Sequence, residues 1–300
     1  MKGTVVTVGS FDGIHRGHQA VLAETVRRAG GGGGLSSLLV TFDPHPLAVV
    51  NPPAAPKLLT LPAEKREVLA QTELDRVAEL AFTPALARLE AEEFVREVLR
   101  ARFGMQQLVL GYDHSFGRGR AGDVEVVRRL GAVDGFAVHV VDPVREDGQP
   151  ISSTLVRAAV ADGKLEAAAR WLGRPYSLLA SVERGAGRGR TIGVPTINLR
   201  VDARKLLPPD GVYAVRVACR MGVFGGMMNQ GPRPTFGVAE RGLEVHLFGF
   251  SGQLYGEPVK LEWVRRLRDV RTFPSGEALV EQLARDARDA RDSLNLSGVE

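Results

Sequence analysis

Apolar residues in the first half of the chain follow two alternating spacings. Short β-branched or apolar runs predict strands at residues 4–8, 35–42, 76–81, 107–110 and 137–141. Amphipathic segments between them predict helices at about residues 17–28, 63–72, 92–102, 123–130 and 152–161. Strands that alternate with helices predict an α/β domain, built on a parallel sheet that is covered on both faces.

The pattern changes near residue 173, where strand-like stretches follow one another without a helix between them. These stretches are residues 177–183, 212–220, 243–250 and 259–263, and Gly- and Pro-rich turns separate them. The spacing is typical of an antiparallel sheet or a small barrel. A closing helix is predicted at about residues 276–294, with Leu279, Leu283 and Ala287 on its buried face and its charged residues, including Asp286, in solvent. We predict domains at residues 1–172 and 173–300.

Composition narrows the class of protein. The chain is 44% hydrophobic and 25% charged, with a formal net charge of +4, which is ordinary for a globular protein. Scattered arginines and an aromatic content of 6% do not favour nucleic-acid binding. The single cysteine excludes an internal disulfide framework. Because we find neither a signal peptide nor a run long enough to span a bilayer, we expect a cytoplasmic protein without a membrane partner.

The first candidate site is the sequence GSFDGIHRGH at residues 9–18, which follows a strand and opens a helix. Glycines allow close backbone approach, and a helix N-terminus presents free N–H groups to an anion. His15 and His18 lie on one face of that helix, where imidazoles can donate hydrogen bonds to phosphate oxygens. A zinc pair or two unrelated surface histidines are the alternatives, although zinc would need further ligands.

A second cluster, ISSTLVR at residues 151–157, offers hydroxyl groups at another helix start and an arginine one turn later. Alone, such a cluster is more often a plain helix cap. Together with the histidine turn, the cluster is better explained as a binding site for the β- and γ-phosphates of a nucleotide, formed by Ser152, Ser153, Thr154 and Arg157.

The second half carries a glycine-rich loop, GAGRGR at residues 185–190, followed by PTIN at residues 195–198. The loop could wrap phosphates or be a flexible hairpin. Thr196 and Asn198 lie two residues apart on one side of an extended chain, an arrangement that suits oxygen ligation of Mg²⁺. Glu244 in the strand EVHL alternates with buried positions, so the pattern alone makes it a solvent-facing residue.

The motifs of the first half together carry a resemblance. GxFDGxHxGH and ISSTxxR resemble the two signatures of nucleotidyltransferases with a Rossmann-like α/β fold, and more narrowly the FMN adenylyltransferase module of bacterial bifunctional FAD synthetases. TFDPHP at residues 41–46 and GYDHSFGRGRAG at residues 111–122 resemble the flavin-side loops of that module. The resemblance implies that His15, His18 and Arg157 act in catalysis. It implies ATP-binding roles for Gly9, Phe11, Gly17, Ser152, Ser153 and Thr154, and flavin-binding roles for Pro44, Pro46, Asp113 and Phe116. Without it, the prolines would be a rigid loop and Phe116 a core aromatic.

The second half is similar to riboflavin kinases through GRTIGVPTINL, NQGPRPTF and EVHL, which occur in the order of that family. The resemblance implies a small antiparallel six-stranded β-barrel with a C-terminal helix. It implies that Gly187, Gly189 and Arg190 bind ATP, that Thr196 and Asn198 hold Mg²⁺, and that Glu244 takes the proton of the flavin alcohol. A neutral alcohol needs such a base, whereas a phosphate nucleophile does not.

The sequence therefore predicts a bifunctional enzyme that phosphorylates riboflavin to FMN and adenylylates FMN to FAD. ATP is its co-substrate, Mg²⁺ its cofactor, and riboflavin, FMN and FAD its other ligands. Two alternatives stay open at this point: a nucleotidyltransferase for another phosphate acceptor, and a catalytically weak flavin-binding protein. The sequence leaves the oligomeric state open.

Overall fold

The computed structural model describes residues 3–184, 194–232 and 241–296. The chain divides into two compact units, Met1–Ser153 and Thr154–Glu300. Among the described residues, no helix combines the length and the apolar character that crossing a membrane requires.

The first unit is built on a five-stranded parallel sheet with the strand order β3-β2-β1-β4-β5. Its strands are β1 (Thr4–Val8), β2 (Ser36–Asp43), β3 (Arg76–Ala81), β4 (Met105–Gly111) and β5 (Ala137–Val141). The predicted α/β domain with a parallel sheet is confirmed.

Helices cover both faces of this sheet, because successive strand residues point to opposite sides. Val6 and Val8 of β1 pack into one core cluster, while Val5 packs into the other. The helices are α1 (Arg16–Ala29), α2 (Pro46–Val50), α3 (Pro62–Leu69), α4 (Pro84–Ala87), α5 (Ala91–Glu93, continued by a π-helical segment over Phe94–Arg102) and α6 (Val124–Asp134). A short hairpin of β6 (Arg145–Glu146) and β7 (Gln149–Pro150) follows the sheet.

The strand order reverses between β1 and β4, since β2 and β3 lie on one side of β1 whereas β4 and β5 lie on the other. In open α/β sheets, ligands bind beyond the carboxyl ends of the strands at such a reversal. Residues 9–18, which we call the signature turn, leave the carboxyl end of β1 at this point.

The second unit contains a closed barrel with the strand order β10-β11-β12-β9-β8-β13. The strands are β8 (Ser177–Glu183), β9 (Ile197–Arg200), β10 (Gly211–Cys219), β11 (Gly222–Pro232), β12 (Arg241–Leu247) and β13 (Pro258–Arg268). Helices α7 (Ser153–Ala161) and α8 (Leu165–Leu172) precede the barrel and α9 (Gly276–Ser293) follows it. The predicted six-stranded antiparallel barrel with a C-terminal helix is confirmed.

The buried face of α9 differs from its prediction at one position. Asp286, which we expected in solvent, is 1% exposed. Its carboxylate accepts hydrogen bonds from Arg268 of β13 at 2.8 and 2.6 Å and from Gln282 at 2.7 Å. The prediction was wrong because a bidentate guanidinium from the barrel compensates the charge and allows the carboxylate to be buried.

Candidate active sites

The signature turn has an unusual backbone conformation. Phe11 and Ile14 have φ angles of 47° and 40°, and Gly13 between them has a φ of 84°. A positive φ is ordinary for glycine, but it is rare for a β-branched residue such as isoleucine. Conformations of this kind cost about 1–3 kcal/mol each and persist only where neighbouring groups enforce them.

Asp12 provides one such restraint. It is 2% exposed, and its carboxylate accepts hydrogen bonds from the amides of Leu59 and Thr60 at 3.0 and 2.9 Å. The hydroxyl of Thr60 also donates to Asp12 at 3.1 Å and accepts from the amide of Gly13 at 3.0 Å. Asp12 therefore ties the turn to the segment that precedes α3.

The two predicted histidines lie together at the start of α1. The rings of His15 and His18 stack, with their centroids 3.8 Å apart and an interplanar angle of 19°. Nδ1 of His15 caps the helix by accepting the amide of His18 at 3.3 Å. Because Nδ1 accepts, the ring proton of His15 lies on Nε2, which is then a donor. The ring of Phe11 lies 4.6 Å from that of His18.

Two glycines of the signature turn leave room for these rings. A Cβ atom added to Gly17 would lie 3.1 Å from the His15 ring and 3.3 Å from the carbonyl oxygen of Ile151. A Cβ atom added to Gly9 would lie 3.1 Å from the Phe11 ring and 3.5 Å from the ring of His114. The loop after β4 therefore reaches the signature turn, and it does so through His114, which the sequence did not single out.

The second motif begins next to the first. Ser153 donates a hydrogen bond from Oγ to the carbonyl of Asp12 at 2.8 Å, and the carbonyl oxygen of Ile151 would lie 3.3 Å from a Cβ atom added to Gly17. Ser152 is half-buried in the same unit. Thr154 and Arg157 lie on α7, in the part of that helix that belongs to the second unit.

The predicted flavin-side residues occupy two loops at the carboxyl ends of β2 and β4. Pro44 follows a cis peptide bond and is exposed, whereas Pro46 is half-buried as the first residue of α2. Asp113 is exposed. Phe116 is half-buried and packs against Phe94 of the core, with ring centroids 5.6 Å apart.

The candidate kinase residues meet on three neighbouring strands of the barrel. Glu244 of β12 pairs in register with Asn198 of β9 on one side and with Asn229 of β11 on the other. Residues directly opposite one another share a face of the sheet, so two amides flank the carboxylate. Glu244 is exposed, whereas Asn198 is 8% exposed, and Thr196 is half-buried two residues before it.

His246, two residues after Glu244, fixes the PTIN segment. Its Nδ1 donates a hydrogen bond to the carbonyl of Pro195 at 2.8 Å. Gly187, Gly189 and Arg190, the predicted ATP-binding residues of the glycine-rich loop, lie outside the described residues.

Metal-binding clusters were sought among residues 3–184, 194–232 and 241–296. Within those ranges no three His, Cys, Asp or Glu side chains are grouped so that they could hold a metal ion. For the described residues, the zinc alternative for His15 and His18 therefore lacks a third ligand of these types.

Comparison with known proteins decides the family. The chain matches the model of FAD synthetase over residues 1–155 and that of riboflavin kinase over residues 172–294. The bifunctional riboflavin kinase/FMN adenylyltransferase of Pseudomonas fluorescens is 38% identical over 291 residues, which cover 97% of this chain and 93% of the relative. The chain belongs to this bifunctional riboflavin kinase/FMN adenylyltransferase family.

Two further similar proteins match over nearly the whole chain. The Escherichia coli K12 enzyme of the same name is 36% identical over 300 residues, covering 99% of this chain and 94% of the relative. A crystal structure from Streptococcus pneumoniae, of a protein named a macrolide-efflux protein, has a TM-score of 0.88 at 33% identity and covers 97% of this chain and 94% of its own. The predicted combination of an FMN adenylyltransferase with a riboflavin kinase, both ATP-using, is confirmed.

Sequence reasoning missed the residues that support the signature turn. Asp12 stands inside the motif but received no role, and Thr60 and His114 lie in other segments. The local sequence offers one signal: the carboxylate of Asp12 lies between apolar neighbours in a turn. Such a position is typical of a buried, hydrogen-bonded carboxylate rather than of one in solvent.

Proposed function

We propose that the first of the two predicted domains, residues 1–172, transfers AMP from ATP to FMN at the signature turn. The observation that carries this assignment is the stacked pair of His15 and His18 at the N-terminus of α1, beside the reversal of the strand order. An oxygen of the FMN phosphate forms a bond to the α-phosphorus of ATP. The bond from that phosphorus to the bridging oxygen breaks, and pyrophosphate leaves.

The chain's own groups act in this step by positioning and by stabilising negative charge. The ionised phosphate of FMN is already a nucleophile, so the site needs hydrogen-bond donors rather than a base. His15, through Nε2, and His18 donate to phosphate oxygens, and Arg157 pairs with the charge of the leaving group. Gly9, Phe11, Gly17, Ser152, Ser153 and Thr154 bind ATP, and Pro44, Pro46, Asp113 and Phe116 bind the flavin.

The second part of the proposal is that the barrel phosphorylates riboflavin. The carboxylate of Glu244 accepts the proton of the 5′-hydroxyl while the hydroxyl oxygen forms a bond to the γ-phosphorus of ATP. The bond from that phosphorus to the β,γ-bridging oxygen breaks, and ADP leaves. Gly187, Gly189 and Arg190 bind ATP. His246 supports this site indirectly, because it holds the carbonyl of Pro195 next to Thr196.

Mg²⁺ is the cofactor that fits the barrel site. The hydroxyl of Thr196 and the amide oxygen of Asn198 would hold it, beside the carboxylate of Glu244 in the register of the sheet. These are the oxygen ligands that Mg²⁺ takes together with substrate phosphates. When bound, the cation neutralises charge on the phosphates of ATP.

The adenylyltransferase domain extends in this proposal over residues 1–172 and the kinase domain over residues 173–300. The small-molecule partners of the protein in this proposal are ATP, riboflavin, FMN and FAD. A cytoplasmic location and the absence of nucleic-acid and membrane partners stay predictions of the sequence.

The proposal is tested by one time course. The purified chain is incubated with riboflavin, ATP and MgCl₂, and the fluorescent flavins are separated by chromatography. We expect FMN to appear first and FAD to follow, and we expect EDTA in excess over Mg²⁺ to stop both steps. Unchanged riboflavin, or FMN that is never converted when it is supplied directly, would contradict the proposal.

A further inference from the structure

A lysine is buried behind the signature turn. Lys65 of α3 is 8% exposed, and its Nζ donates a hydrogen bond to the carbonyl of Ser10 at 2.8 Å. Nζ also lies 3.4 Å from the hydroxyl of Thr41, which donates to the same carbonyl at 3.2 Å. Burial lowers the pKa of Lys65, while the carboxylates of Asp12, Glu79 and Asp43 oppose that shift. A charged group is rarely this deeply buried unless it is paired with a specific partner.

The lysine completes a set of contacts made by one short segment, residues 59–65, which we call the anchor segment. Its first two residues bind the carboxylate of Asp12, and the Thr60 hydroxyl binds the amide of Gly13. Its last residue binds the carbonyl of Ser10. The anchor segment thus holds the turn at Ser10, Asp12 and Gly13. Of the two residues with a positive φ, Phe11 lies between the first two of these positions and Ile14 follows the third.

This arrangement matters because the turn's backbone is unfavourable by itself. Left-handed φ values at non-glycine residues persist where the surroundings determine them more strongly than local preference does. Asp12 restrains the turn through the hydrogen bonds of its carboxylate, and Lys65 does so through the carbonyl of Ser10. The buried ammonium also balances the buried carboxylate of Asp12.

We propose that Lys65 is a positioning residue for adenylyl transfer. It acts through the carbonyl of Ser10 and keeps the signature turn in the conformation that presents His15 and His18 to the phosphates. Lys65 itself does not touch the substrate. This inference rests on the role proposed above for the signature turn.

The test compares variants of the full chain, and the kinase step of each preparation serves as its internal standard. In Lys65→Met, we expect kcat for FMN adenylylation to fall by about 30-fold, since misplacement of catalytic groups by a fraction of an ångström has effects of this size. We expect KM for ATP and for FMN to change by less than about threefold, because the loss concerns the transition state rather than the bound substrates. The rate of riboflavin phosphorylation should stay at the wild-type value.

Arg66→Met is the matched control. Arg66 is the next residue of the same helix, and its side chain is 60% exposed in an ion pair with Glu79. The same loss of a charged side chain should leave adenylyl transfer unchanged there. A purely structural Lys65 would lower the thermal stability of the first unit without lowering kcat of the folded enzyme. That result, with kcat within about threefold of wild type, would overturn the proposal.

A second variant covers the case in which Lys65→Met fails to fold, as judged by hydrogen exchange of the β1 and β2 amides. Thr41→Val nearly conserves volume and removes the other donor to the Ser10 carbonyl. We expect its adenylylation kcat to fall by about fivefold, the cost of one neutral hydrogen bond, with KM unchanged. A wild-type kcat in a folded Thr41→Val variant would overturn the proposal in that case.

His18→Ala separates this inference from the function on which it rests. If His18→Ala abolishes adenylyl transfer while folded Lys65→Met retains it, only the role of Lys65 is wrong. If His18→Ala retains adenylyl transfer, the signature turn is not the site, and the role of Lys65 falls with it.

Discussion

At the scale of single residues, Gly17 is needed because it has no side chain, which leaves room for the ring of His15. It lies within α1, so alanine would not strain the backbone there, but its Cβ would lie 3.1 Å from the His15 ring. We expect Gly17→Ala to displace that ring and to lower FMN adenylylation by about 10-fold, with riboflavin phosphorylation unchanged. Steady-state assays of the two steps measure this.

Gly30→Ala is the control for that substitution. Gly30 follows the last residue of α1, and the nearest atom to an added Cβ lies 3.6 Å away, which is ordinary contact. Both activities should therefore stay at the wild-type level. Equal losses in Gly17→Ala and Gly30→Ala would show that the effect comes from the helix and not from His15.

Glu24, on the same helix, gives a prediction about pH. A hydrogen bond from Arg27, followed by one from Arg28, outweighs the effect of burial and lowers the pKa of Glu24 from 4.5 to about 2. Because the folded-state pKa is lowered, the carboxylate stabilises the fold above about pH 4.5, and this contribution is lost as the pH falls through about 2. Carbon NMR titration of the Glu24 carboxyl measures the midpoint, and a midpoint near 4.5 would contradict the assignment.

Residues inside a motif could be predicted from the sequence, whereas their supports could not. The proximity of His15 and His18 could be predicted because helix geometry fixes the relation of residues three positions apart. Lys65 reaches Ser10 across 55 positions of sequence, and no local pattern relates them. A lysine in an amphipathic helix ordinarily faces solvent, so its burial depends on the tertiary structure alone.

At the scale of elements, the ion pair between Arg268 and Asp286 joins α9 to the barrel. Asp286→Ala leaves the Arg268 guanidinium, 19% exposed, without its bidentate partner. Removal of one member of a buried pair costs about 3 kcal/mol, because the remaining charge loses its compensation. We expect the free energy of opening of α9 to fall by about that amount, as measured by native-state hydrogen exchange of its amides.

Glu281→Ala on the same helix serves as the comparison. Its carboxylate pairs with Arg285 at 3.2 Å, with both side chains more than half exposed. An exposed pair of this kind contributes little, so the protection of α9 should stay at the wild-type level. A smaller loss of protection in Asp286→Ala than in Glu281→Ala would contradict the role given to the buried pair.

Elements with strong periodicity were predicted, and those without it were missed. The strands of the parallel sheet were located within a few residues, because buried β-branched runs are clear signals. The barrel strands β9 and β11 were not located by pattern. Ile197–Arg200 has only four residues, and Gly222–Pro232 carries glycines that a strand prediction normally excludes.

At the scale of the whole molecule, one chain carries two phosphate-handling sites with different demands. In the proposed adenylylation site the nucleophile is an ionised phosphate, which agrees with a site of donors such as His15 and His18. In the proposed kinase site the nucleophile is a neutral alcohol, which agrees with the role of base proposed for Glu244. The difference in nucleophile accounts for the difference in residue types.

The most direct test of this account is the separation of the two activities by single substitutions. His18→Ala and Glu244→Gln are each incubated with ATP and MgCl₂ and with either riboflavin or FMN, and the flavin products are quantified by chromatography. We expect His18→Ala to convert riboflavin to FMN but to form no FAD. We expect Glu244→Gln to leave riboflavin unchanged while converting added FMN to FAD. Loss of the same single step in both variants would contradict the assignment of two separate sites.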